Sequence, residues 1–393
     1  MRSEACHPGE VELSVIIPCL NEAETLGACI EKAQRAIGAN QIVGEVIVAD
    51  NGSTDGSADI ADRMGARVVG VPAKGYGNAL IGGIAAARGR FVIMGDADGS
   101  YDFEAIPQFL ARLREGYDLV QGCRLSAGGG TIAPGAMPFL HRAVGNPLFS
   151  LLARRWFDCP IHDVNCGLRG FTRAHYERLR QRCTGMEFAV EMIIKSSLFG
   201  AKFAEVPITL HVDGRTVHAP HLNTFRDGWR TLRFYLVSSP RRVFLVPGAG
   251  LIGFGIVAYA LALPEVRLGA IRFGAHTLLF GSLGILCGYQ AIFFGVCAKA
   301  IAAQEGILPE DPRIGRLLNI INLEIGLILA VVALMVGLIL LAAAVNQWRL
   351  VQFGDLQYAR TMRLVVPGAT LTALGFQTIL SAFLLSLLDL RRN

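Results

Sequence analysis

The chain has 393 residues, of which 52% are hydrophobic, and its formal net charge is +5. This length leaves room for two domains, and the small excess of positive charge gives no reason to expect a nucleic-acid partner. The nine cysteines include no CxxC pair, which predicts reduced thiols and argues against a zinc site or a disulfide framework.

The polar N-terminal segment, MRSEACHPGEVE, lacks the apolar core and the cleavage pattern of a secretory signal. We therefore expect the domain that follows it to stay in the cytoplasm. In that domain, short apolar segments rich in β-branched residues alternate with helical segments. The predicted strands are 14–18, 45–50, 66–71, 90–96 and 118–123, and the predicted helices between them are 21–37, 57–64, 77–87 and 103–114.

This alternation predicts βαβ units and a mostly parallel sheet, at whose carboxyl edge ligands bind. Polar residues stand at or just beyond the strand ends: Asn21, Asp50, Asp96 and Arg124. We expect these side chains to converge on one crevice, although they are far apart in the sequence.

The fourth predicted strand ends in two aspartates, Asp96 and Asp98, which are followed by Gly99. Such a pair can close a strand as an Asx turn that the glycine completes. Its oxygens can also bind a hard cation such as Mg²⁺ or Mn²⁺, and the position at the crevice favours this second interpretation. Because Mg²⁺ usually shares the phosphates of a substrate, the predicted ligand is a diphosphate, as in a nucleotide sugar.

The middle of the chain is less regular. Residues 126–138 are rich in glycine and predict a mobile loop, and residues 139–200 look helical apart from a polar break at 163–170. Residues 222–236 carry two stripes at helical spacing. The apolar stripe is Leu222, Phe225, Trp229, Leu232 and Leu236, and the basic stripe is Arg226, Arg230 and Arg233. This pattern predicts a helix on an anionic membrane surface or one packed on its own domain, and its place before an apolar run favours the membrane.

Four long apolar runs without Asp, Glu, Lys or Arg occupy the last part of the chain. They cover residues 243–263, 277–298, 325–345 and 364–388. At 1.5 Å per residue, each run can cross a hydrocarbon core of about 30 Å. The second run contains GYQAI (288–292) and the fourth contains GFQTI (375–379). This faint repeat predicts two helix hairpins of common origin.

These patterns predict three parts: a cytoplasmic α/β catalytic domain over 1–221, an amphipathic interfacial helix and linker over 222–242, and a transmembrane domain of four helices over 243–393. The expected location is the cytoplasmic (inner) membrane, with several spans. This orientation rests on the missing signal peptide, because arginines on both sides of the apolar runs make the positive-inside pattern weak.

Seven motifs follow one another over about 200 residues of the first domain. They are SVIIPCLNEAETL (14–26), VADNGSTDGS (48–57), KGYGNALIGGIAAARG (74–89), MGDADGSYDFEAIP (94–107), QGCRL (121–125), DVNCGLRGF (163–171) and EVPITL (205–210). In this order they resemble the motifs of family 2 glycosyltransferases of the GT-A fold. The resemblance is narrowest to the branch of dolichyl-phosphate mannosyltransferase and undecaprenyl-phosphate glucosyltransferase, in which four appended spans also occur.

The resemblance implies a GT-A domain, with a Rossmann-like and mostly parallel sheet, followed by a four-helix transmembrane domain. It implies Mg²⁺ or Mn²⁺ as cofactor and a nucleotide sugar, such as UDP-glucose or GDP-mannose, as donor. The implied acceptor is a polyprenyl phosphate in the membrane, either undecaprenyl or dolichyl. A second copy of the chain is a further candidate partner.

Residue by residue, the resemblance also assigns the site. The donor-binding residues are Pro18, Asn21, Glu22, Asp50, Lys74, Gly75, Gly77 and Asp96. The metal ligands are Asp96, Asp98 and Ser100, the last of which stands where many relatives carry glutamine. The acceptor phosphate is assigned to Arg124, Arg142 and Arg215, and the catalytic group is Asp96, Asp98, Arg124 and Arg142. Relatives often have two acids before GST, whereas here Asn51 follows Asp50. Asp163 and Asn165 either orient the site or cap a helix.

A phosphate acceptor is already an anion at pH 7, so it needs no general base to remove a proton. Attack opposite the leaving group inverts the anomeric carbon. One alternative is a processive polysaccharide synthase, whose QxxRW motif has only LARRW (152–156) as a counterpart here. Another is a non-catalytic membrane scaffold or lipid transporter, against which the intact aspartate pair argues. The identity of the sugar and the length of the lipid stay open.

Overall fold

A computed structural model describes residues 11–216, 224–309 and 323–390 of the chain. The chain divides into two compact units, Met1–Val237 and Ser238–Asn393. The predicted boundary at 221/222, and Leu222 of the apolar stripe, lie outside the described residues. The helix that contains both stripes belongs to the first unit.

The first unit is built on a seven-stranded sheet. In chain order its strands are β1 (Leu13–Cys19), β2 (Gly44–Asp50), β3 (Arg67–Gly70), β4 (Phe91–Met94), β5 (Leu119–Cys123), β7 (Arg169–Thr172) and β8 (Phe203–Pro207), and the short β6 (Thr131–Ile132) and β9 (Thr209–Leu210) pair separately. The strand order is β3-β2-β1-β4-β7-β5-β8. Only β7 runs antiparallel to its neighbours among these seven strands, so the predicted mostly parallel sheet is confirmed.

Helices cover both faces of this sheet. They are α1 (Leu26–Ala39), α2 (Ser57–Arg63), α3 (Tyr76–Ala86), α4 (Ile106–Arg114), α5 (Asn146–Phe157), α6 (Arg173–Leu179), α7 (Phe188–Leu198) and α8 (Thr224–Val237). Successive residues of β1 enter different cores: Val15 and Ile17 lie in one apolar cluster, and Ile16 lies in the other. A strand with both faces buried reads as a continuous apolar run, which is why SVIIP was recognisable.

Two sequence predictions differ from the structure. Helix α1 begins at Leu26 instead of at residue 21, because Asn21 has a left-handed backbone with φ of 57° that a helix cannot contain. Strand β7 lies inside the region 139–200 that was predicted to be helical around its polar break. It has four residues and begins with Arg169, which is fully buried, so neither its length nor its polarity indicates a strand.

In the part that the structure describes, the second unit contains four long helices and a short β-hairpin. The helices are α9 (Val246–Ala262), α10 (Ala275–Gln304), α11 (Leu323–Leu350) and α12 (Tyr358–Leu390), and the hairpin pairs β10 (Arg267–Leu268) with β11 (Ile271–Arg272). A π-helical turn, Arg241–Leu245, precedes α9. Among the described residues, four helical segments are long and apolar enough to cross a membrane: Arg241–Ala262, Ala275–Gln304, Leu323–Leu350 and Tyr358–Leu388. They coincide with the four predicted apolar runs.

The four helices form two hairpins that pack in the same way. In the first hairpin Gly248 and Gly255 meet Gly288 and Gly281, and in the second Ala330 and Gly337 meet Gly375 and Gly368. In each helix the two positions are seven residues apart. A Cβ atom at Gly288 would lie 2.6 Å from the carbonyl oxygen of Gly248, and one at Gly375 would lie 2.7 Å from that of Ala330. Because Gly288 opens GYQAI and Gly375 opens GFQTI, the two motifs hold equivalent places, as common origin requires.

Hydroxyl groups connect the two hairpins. The Tyr259 hydroxyl on α9 lies 3.1 Å from Thr370 Oγ1 on α12. The Tyr289 hydroxyl on α10 donates to Thr378 Oγ1 on α12 over 2.9 Å. Between apolar helices, such hydrogen bonds add a directional contact to van der Waals packing.

Candidate active site

A cavity of about 1000 Å³ opens at the carboxyl ends of β1, β4 and β5 in the first unit. Nine of the thirteen residues that the sequence assigns to the site line it: Pro18, Glu22, Lys74, Gly75, Asp96, Asp98, Ser100, Arg124 and Arg215. The four that do not are Asn21, Asp50, Gly77 and Arg142. The parallel sheet therefore brings together residues nearly 200 positions apart. Of the four strand-end residues expected to converge on one crevice, Asp96 and Arg124 line this cavity, and Asn21 and Asp50 do not.

One glycine separates Asp96 from the end of β4, and Asp96 lines the cavity. Its Oδ1 accepts a hydrogen bond of 2.8 Å from the Tyr76 hydroxyl. A Cβ atom at Gly167 would lie 2.5 Å from Asp96 Oδ2, so this carboxylate needs a glycine opposite it. Burial raises the pKa of Asp96 to about 6, and the nearby charge of Asp98 adds to the shift.

Asp98 uses both of its carboxylate oxygens. Oδ1 accepts from the backbone N–H of Ser100 at 3.0 Å and from its hydroxyl at 2.6 Å. Oδ2 accepts from Nη2 of Arg215 at 3.3 Å. The Asx turn and the carboxylate pair in a cavity are therefore both present, and the turn aims Asp98 into the crevice.

Arg215 lies among three acids. Its guanidinium donates to Glu22 at 3.0 Å and to Asp213 at 2.6 Å, in addition to Asp98. Burial raises the pKa of Glu22 to about 7, although the Arg215 charge opposes this shift. The segment that carries Arg215 is tied to the aspartate turn, since Gly214 N–H donates to the carbonyl oxygen of Asp98 over 2.9 Å.

Arg124 is fixed by a carboxylate from another part of the chain. Its Nε and Nη2 donate to the two oxygens of Asp163 at 2.7 and 2.9 Å, and its Nη1 donates to the Tyr101 hydroxyl at 3.2 Å. The side chain of Asp163 is 0% exposed and that of Arg124 only 8%. Asp163 therefore orients the site, and of its two sequence interpretations the structure selects this one. The two-point fork holds the guanidinium plane in one orientation.

Asn51 organises the part of the cavity wall that contains Lys74 and Gly75. Its amide nitrogen donates to the carbonyl oxygens of Val71 and Ala73, at 2.9 and 2.7 Å, and its Oδ1 accepts from Gly75 N–H at 2.8 Å. Lys74 Nζ donates to the carbonyl oxygen of Asn51 at 2.6 Å. A carboxylate has no N–H to donate, so an acid at this position could not make the two hydrogen bonds to Val71 and Ala73.

The backbone conformation and the local packing require glycine at positions 75 and 77. Gly75 has a φ of 133°, a conformation that other residues rarely adopt. A Cβ atom at Gly77 would lie 2.5 Å from the carbonyl oxygen of Cys183. Close approach of residues 183–184 thus explains Gly77, which does not line the cavity; its assignment to the donor stays a prediction.

The other three residues outside the cavity lie close to it in the sequence or in the fold. Asn21 Oδ1 accepts from Thr54 N–H at 2.8 Å, and the Asp50 carboxylate accepts from Ser53 N–H at 3.1 Å. Both residues shape the turn after β2. Arg142 is exposed on a π-helical turn before α5. The assignments of Asn21 and Asp50 to the donor and of Arg142 to the acceptor phosphate therefore stay predictions.

Sequence reasoning missed several cavity residues. Tyr76 and Tyr101 lie inside recognised motifs, where their positions beside Gly75 and Ser100 were the available signal. Arg226 and Arg230 line the cavity, whereas their spacing indicated a membrane-facing stripe.

The two ends of helix α8 differ in burial. The side chains of Phe225 and Trp229 are 84% and 61% exposed, as a membrane-surface helix would have them, while Tyr235 is fully buried. Tyr235 packs on Phe157 with ring centroids 5.5 Å apart. The C-terminal end of the helix therefore packs on the domain, and its N-terminal end exposes aromatic side chains. Its placement on a membrane surface stays a prediction.

The described residues contain no group of three or more His, Cys, Asp or Glu side chains arranged to hold a metal ion by themselves. Asp96, Asp98 and the Ser100 hydroxyl nevertheless suit Mg²⁺ or Mn²⁺, because these ions take one or two carboxylates and complete their shell with water and substrate phosphates. The donor set on the cavity wall therefore fits a cation that is shared with a diphosphate.

Two family descriptions and several known proteins match parts of the chain. The family description "Glycosyl transferase family 2" matches residues 14–180, and "Glycosyltransferase family 2 C-terminal transmembrane region" matches residues 296–389. A solved structure of glucosyl-3-phosphoglycerate synthase from Mycobacterium tuberculosis, in complex with Mn²⁺, UDP and phosphoglyceric acid, is 25% identical. It covers 59% of this chain and 78% of its own, with a TM-score of 0.45.

Three relatives come from Haloferax volcanii. The low-salt glycan biosynthesis hexosyltransferase Agl6 is 41% identical over 72% of this chain and 67% of its own length. A dolichyl-phosphate hexose transferase is 33% identical over 50% of this chain and 82% of its own length. The glycosyltransferase AglJ is 30% identical over 73% of this chain and 92% of its own length. With a mostly parallel GT-A sheet, four apolar helices and these relatives, the chain belongs to glycosyltransferase family 2.

Proposed function

We propose that the enzyme transfers a hexose from a nucleotide sugar to a polyprenyl phosphate, with inversion at the anomeric carbon. The observation that carries this proposal is one cavity that combines two carboxylates at a strand end with four arginines, Arg124, Arg215, Arg226 and Arg230. Carboxylates suit a metal-bound diphosphate, and guanidinium groups suit a second phosphate. The dolichyl-phosphate hexose transferase among the relatives supports the same class of acceptor.

On the donor side, Asp96 and Asp98 would hold Mg²⁺ or Mn²⁺, with the Ser100 hydroxyl beside them. When bound, the cation supplies positive charge that stabilises the leaving nucleoside diphosphate. The Tyr76 hydroxyl fixes the orientation of Asp96. Lys74, whose loop Asn51 holds in place, brings a further positive charge to the same wall.

On the acceptor side, the chain needs to position an anion, because a phosphate oxygen is already deprotonated at pH 7 and attacks without a general base. Arg124 offers a guanidinium whose orientation Asp163 fixes, and Arg226 and Arg230 add positive charge at the cavity wall. Holding the two anions in line lowers the barrier through proximity and electrostatic stabilisation.

The acceptor class also fits the second unit. A polyprenyl phosphate is confined to a bilayer, and four apolar helices keep the enzyme in the same compartment. We place the cavity on the cytoplasmic side of the inner membrane, where nucleotide sugars are made.

The test uses the purified full-length protein with labelled nucleotide sugars, undecaprenyl or dolichyl phosphate, and Mg²⁺ or Mn²⁺. We expect a labelled lipid, whose formation chelation of the metal stops. Asp98→Ala should lower the rate by about 100-fold or more, as loss of a charge-stabilising group does in other enzymes. The control is Asp62→Ala, which removes an exposed carboxylate of α2 and should leave the rate unchanged.

Near-normal turnover in Asp98→Ala would refute the metal role. A labelled polymer in place of a single-sugar lipid would instead support a processive synthase. Binding of nucleotide sugar without any transfer would support a scaffold.

A further inference from the structure

Arg215 contacts the carboxylate oxygen of Asp98 that Ser100 does not engage. Asp98 Oδ1 is engaged by Ser100, and Arg215 Nη2 lies 3.3 Å from Oδ2. The same guanidinium reaches Glu22 and Asp213, so one positive charge serves three carboxylates. The side chains of Arg215 and Glu22 are only 10% and 7% exposed, so solvent screens this group weakly.

We propose that Arg215 is a stand-in for the divalent cation: it neutralises Glu22, Asp98 and Asp213 before the metal binds, and it leaves Asp98 when the metal arrives. This inference rests on the proposed function, because it takes Asp98 to be a metal ligand. It also explains why an arginine expected at the acceptor phosphate is found on the aspartate turn.

The contacts of Arg215 suit such an exchange. Its shortest hydrogen bonds are to Asp213 in the same loop. Arg215 Nε and Nη2 donate to the Asp213 carboxylate at 2.9 and 2.6 Å. The contact to Asp98 is longer, at 3.3 Å. The fork on Asp213 can therefore remain while the guanidinium leaves Asp98, because Asp213 and Arg215 are two residues apart in the same loop.

The backbone restricts the movement to the side chain. Gly214 N–H donates to the carbonyl oxygen of Asp98, and His211 N–H donates to that of Ser100, each over 2.9 Å. Thr216 is bonded to Glu24 through both its N–H and its hydroxyl. The loop thus stays on the aspartate turn, and departure of the guanidinium from Asp98 presents its charge to the cavity that it lines.

Electrostatics determines the direction of the effect. An isolated carboxylate attracts a divalent cation more strongly than one that is already paired, since the paired arginine must first be displaced. Removing Arg215 leaves three carboxylates without that partner. The enzyme without Arg215 should therefore bind metal more tightly while it loses the guanidinium that the second anion needs.

The experiment measures Mn²⁺ affinity of the full-length protein in detergent, without nucleotide, from the electron paramagnetic resonance signal of free Mn²⁺. Arg215→Gln should tighten Mn²⁺ binding by about tenfold or more, the size expected when a partly buried ion pair no longer competes. The matched control is Arg230→Gln, which removes one positive charge from the same cavity without touching Asp98. We expect it to change the affinity by about threefold or less.

Two further variants keep the result interpretable. Arg215→Lys retains the charge, so its affinity should stay closer to that of the wild type even if Arg215→Gln folds poorly. Asp98→Asn in the Arg215→Gln background should remove the gain, since the gain depends on that carboxylate.

Equal affinities of wild type and Arg215→Gln, both lost in Asp98→Asn, overturn the stand-in role but leave the metal site intact. Equal gains in Arg215→Gln and Arg230→Gln also overturn it, because a general charge effect then suffices. No Mn²⁺ binding by any variant, even with UDP added, refutes the metal role and the stand-in role together.

Discussion

The two units of the chain achieve close packing by different means. In the first unit, buried charges are held by particular partners: the Lys195 ammonium lies 2.8 Å from Glu191, with side chains 1% and 3% exposed, and Arg124 is forked on Asp163. In the second unit, backbones touch at glycines and large apolar side chains face outward. Phe280, Ile328 and Leu387 are each more than 60% exposed.

The difference reflects the solvent that each unit requires. Water drives apolar side chains into the core of the first unit, and polar groups remain inside only where a partner compensates their desolvation. The outward surface of the second unit is as apolar as lipid, so the hydrophobic effect cannot join its helices, and close backbone approach does so. The first unit should therefore be sensitive to loss of a charge, and the second to added volume.

The largest expected effect comes from removing a buried partner in the first unit. Asp163→Ala leaves the Arg124 guanidinium buried without its counter-charge, and we expect a loss of about 3–5 kcal/mol in the free energy of unfolding. Hydrogen exchange of β5 and β7 should accelerate accordingly, while that of α9–α12 should not change. Asp62→Ala, on the exposed side of α2, should stay within about 0.5 kcal/mol of the wild type. Unchanged protection of β5 would contradict the role given to Asp163.

An intermediate effect is expected from adding volume in the second unit. In Gly288→Leu, the new Cβ atom would lie 2.6 Å from the carbonyl oxygen of Gly248. The resulting overpacking should lower the free energy of unfolding by about 1–3 kcal/mol. The matched control is Gly253→Leu on α9, whose Cβ meets nothing within 4 Å. Unfolding in detergent, followed by the exchange of α9 and α10, measures both variants. Equal stabilities of the two variants would show that the glycine contact does not hold the hairpin together.

The smallest effect concerns pH and again distinguishes the first unit. His175 is buried, its Nε2 lies 2.8 Å from Ser196 Oγ, and burial lowers its pKa to about 4. In the unfolded chain the pKa returns to about 6.5, so between these values only the unfolded state takes up the proton. Stability should therefore fall as the pH falls, by about 1 kcal/mol between pH 7 and pH 5.5.

His175→Gln keeps a hydrogen-bonding group without a titrating one. The difference in unfolding free energy between wild type and this variant, measured across that pH range, isolates the histidine from the acids of the cavity. A difference that does not depend on pH would contradict neutral burial of His175.

The sequence predicted those features that depend on neighbouring residues alone. Asp96 and Asp98 follow an apolar strand directly, and each apolar run that became a membrane-type helix is continuous. Partners that come together only in the fold were not predicted in their detail. Arg124 and Asp163 are 39 residues apart, and no pattern around either one shows that they form a fork.

The same reason accounts for the errors. Strand β7 is a four-residue segment that the fold inserts between β4 and β5, and its pairing, not its composition, makes it a strand. Arg226 and Arg230 have the spacing of a surface stripe, and only the tertiary structure places them at the cavity. The assignment of Arg142 stays a prediction, since a motif match gives a residue type but not the direction of its side chain.

The repeated hairpin has a consequence for how the chain is made. Both glycine contacts of the first hairpin, Gly248 with Gly288 and Gly255 with Gly281, join residues that are synthesised before Gln304, and neither involves α11 or α12. Helices α9 and α10 can thus pair in the bilayer while the ribosome is still translating the rest. The membrane region is then completed in two successive steps, of which the second repeats the first.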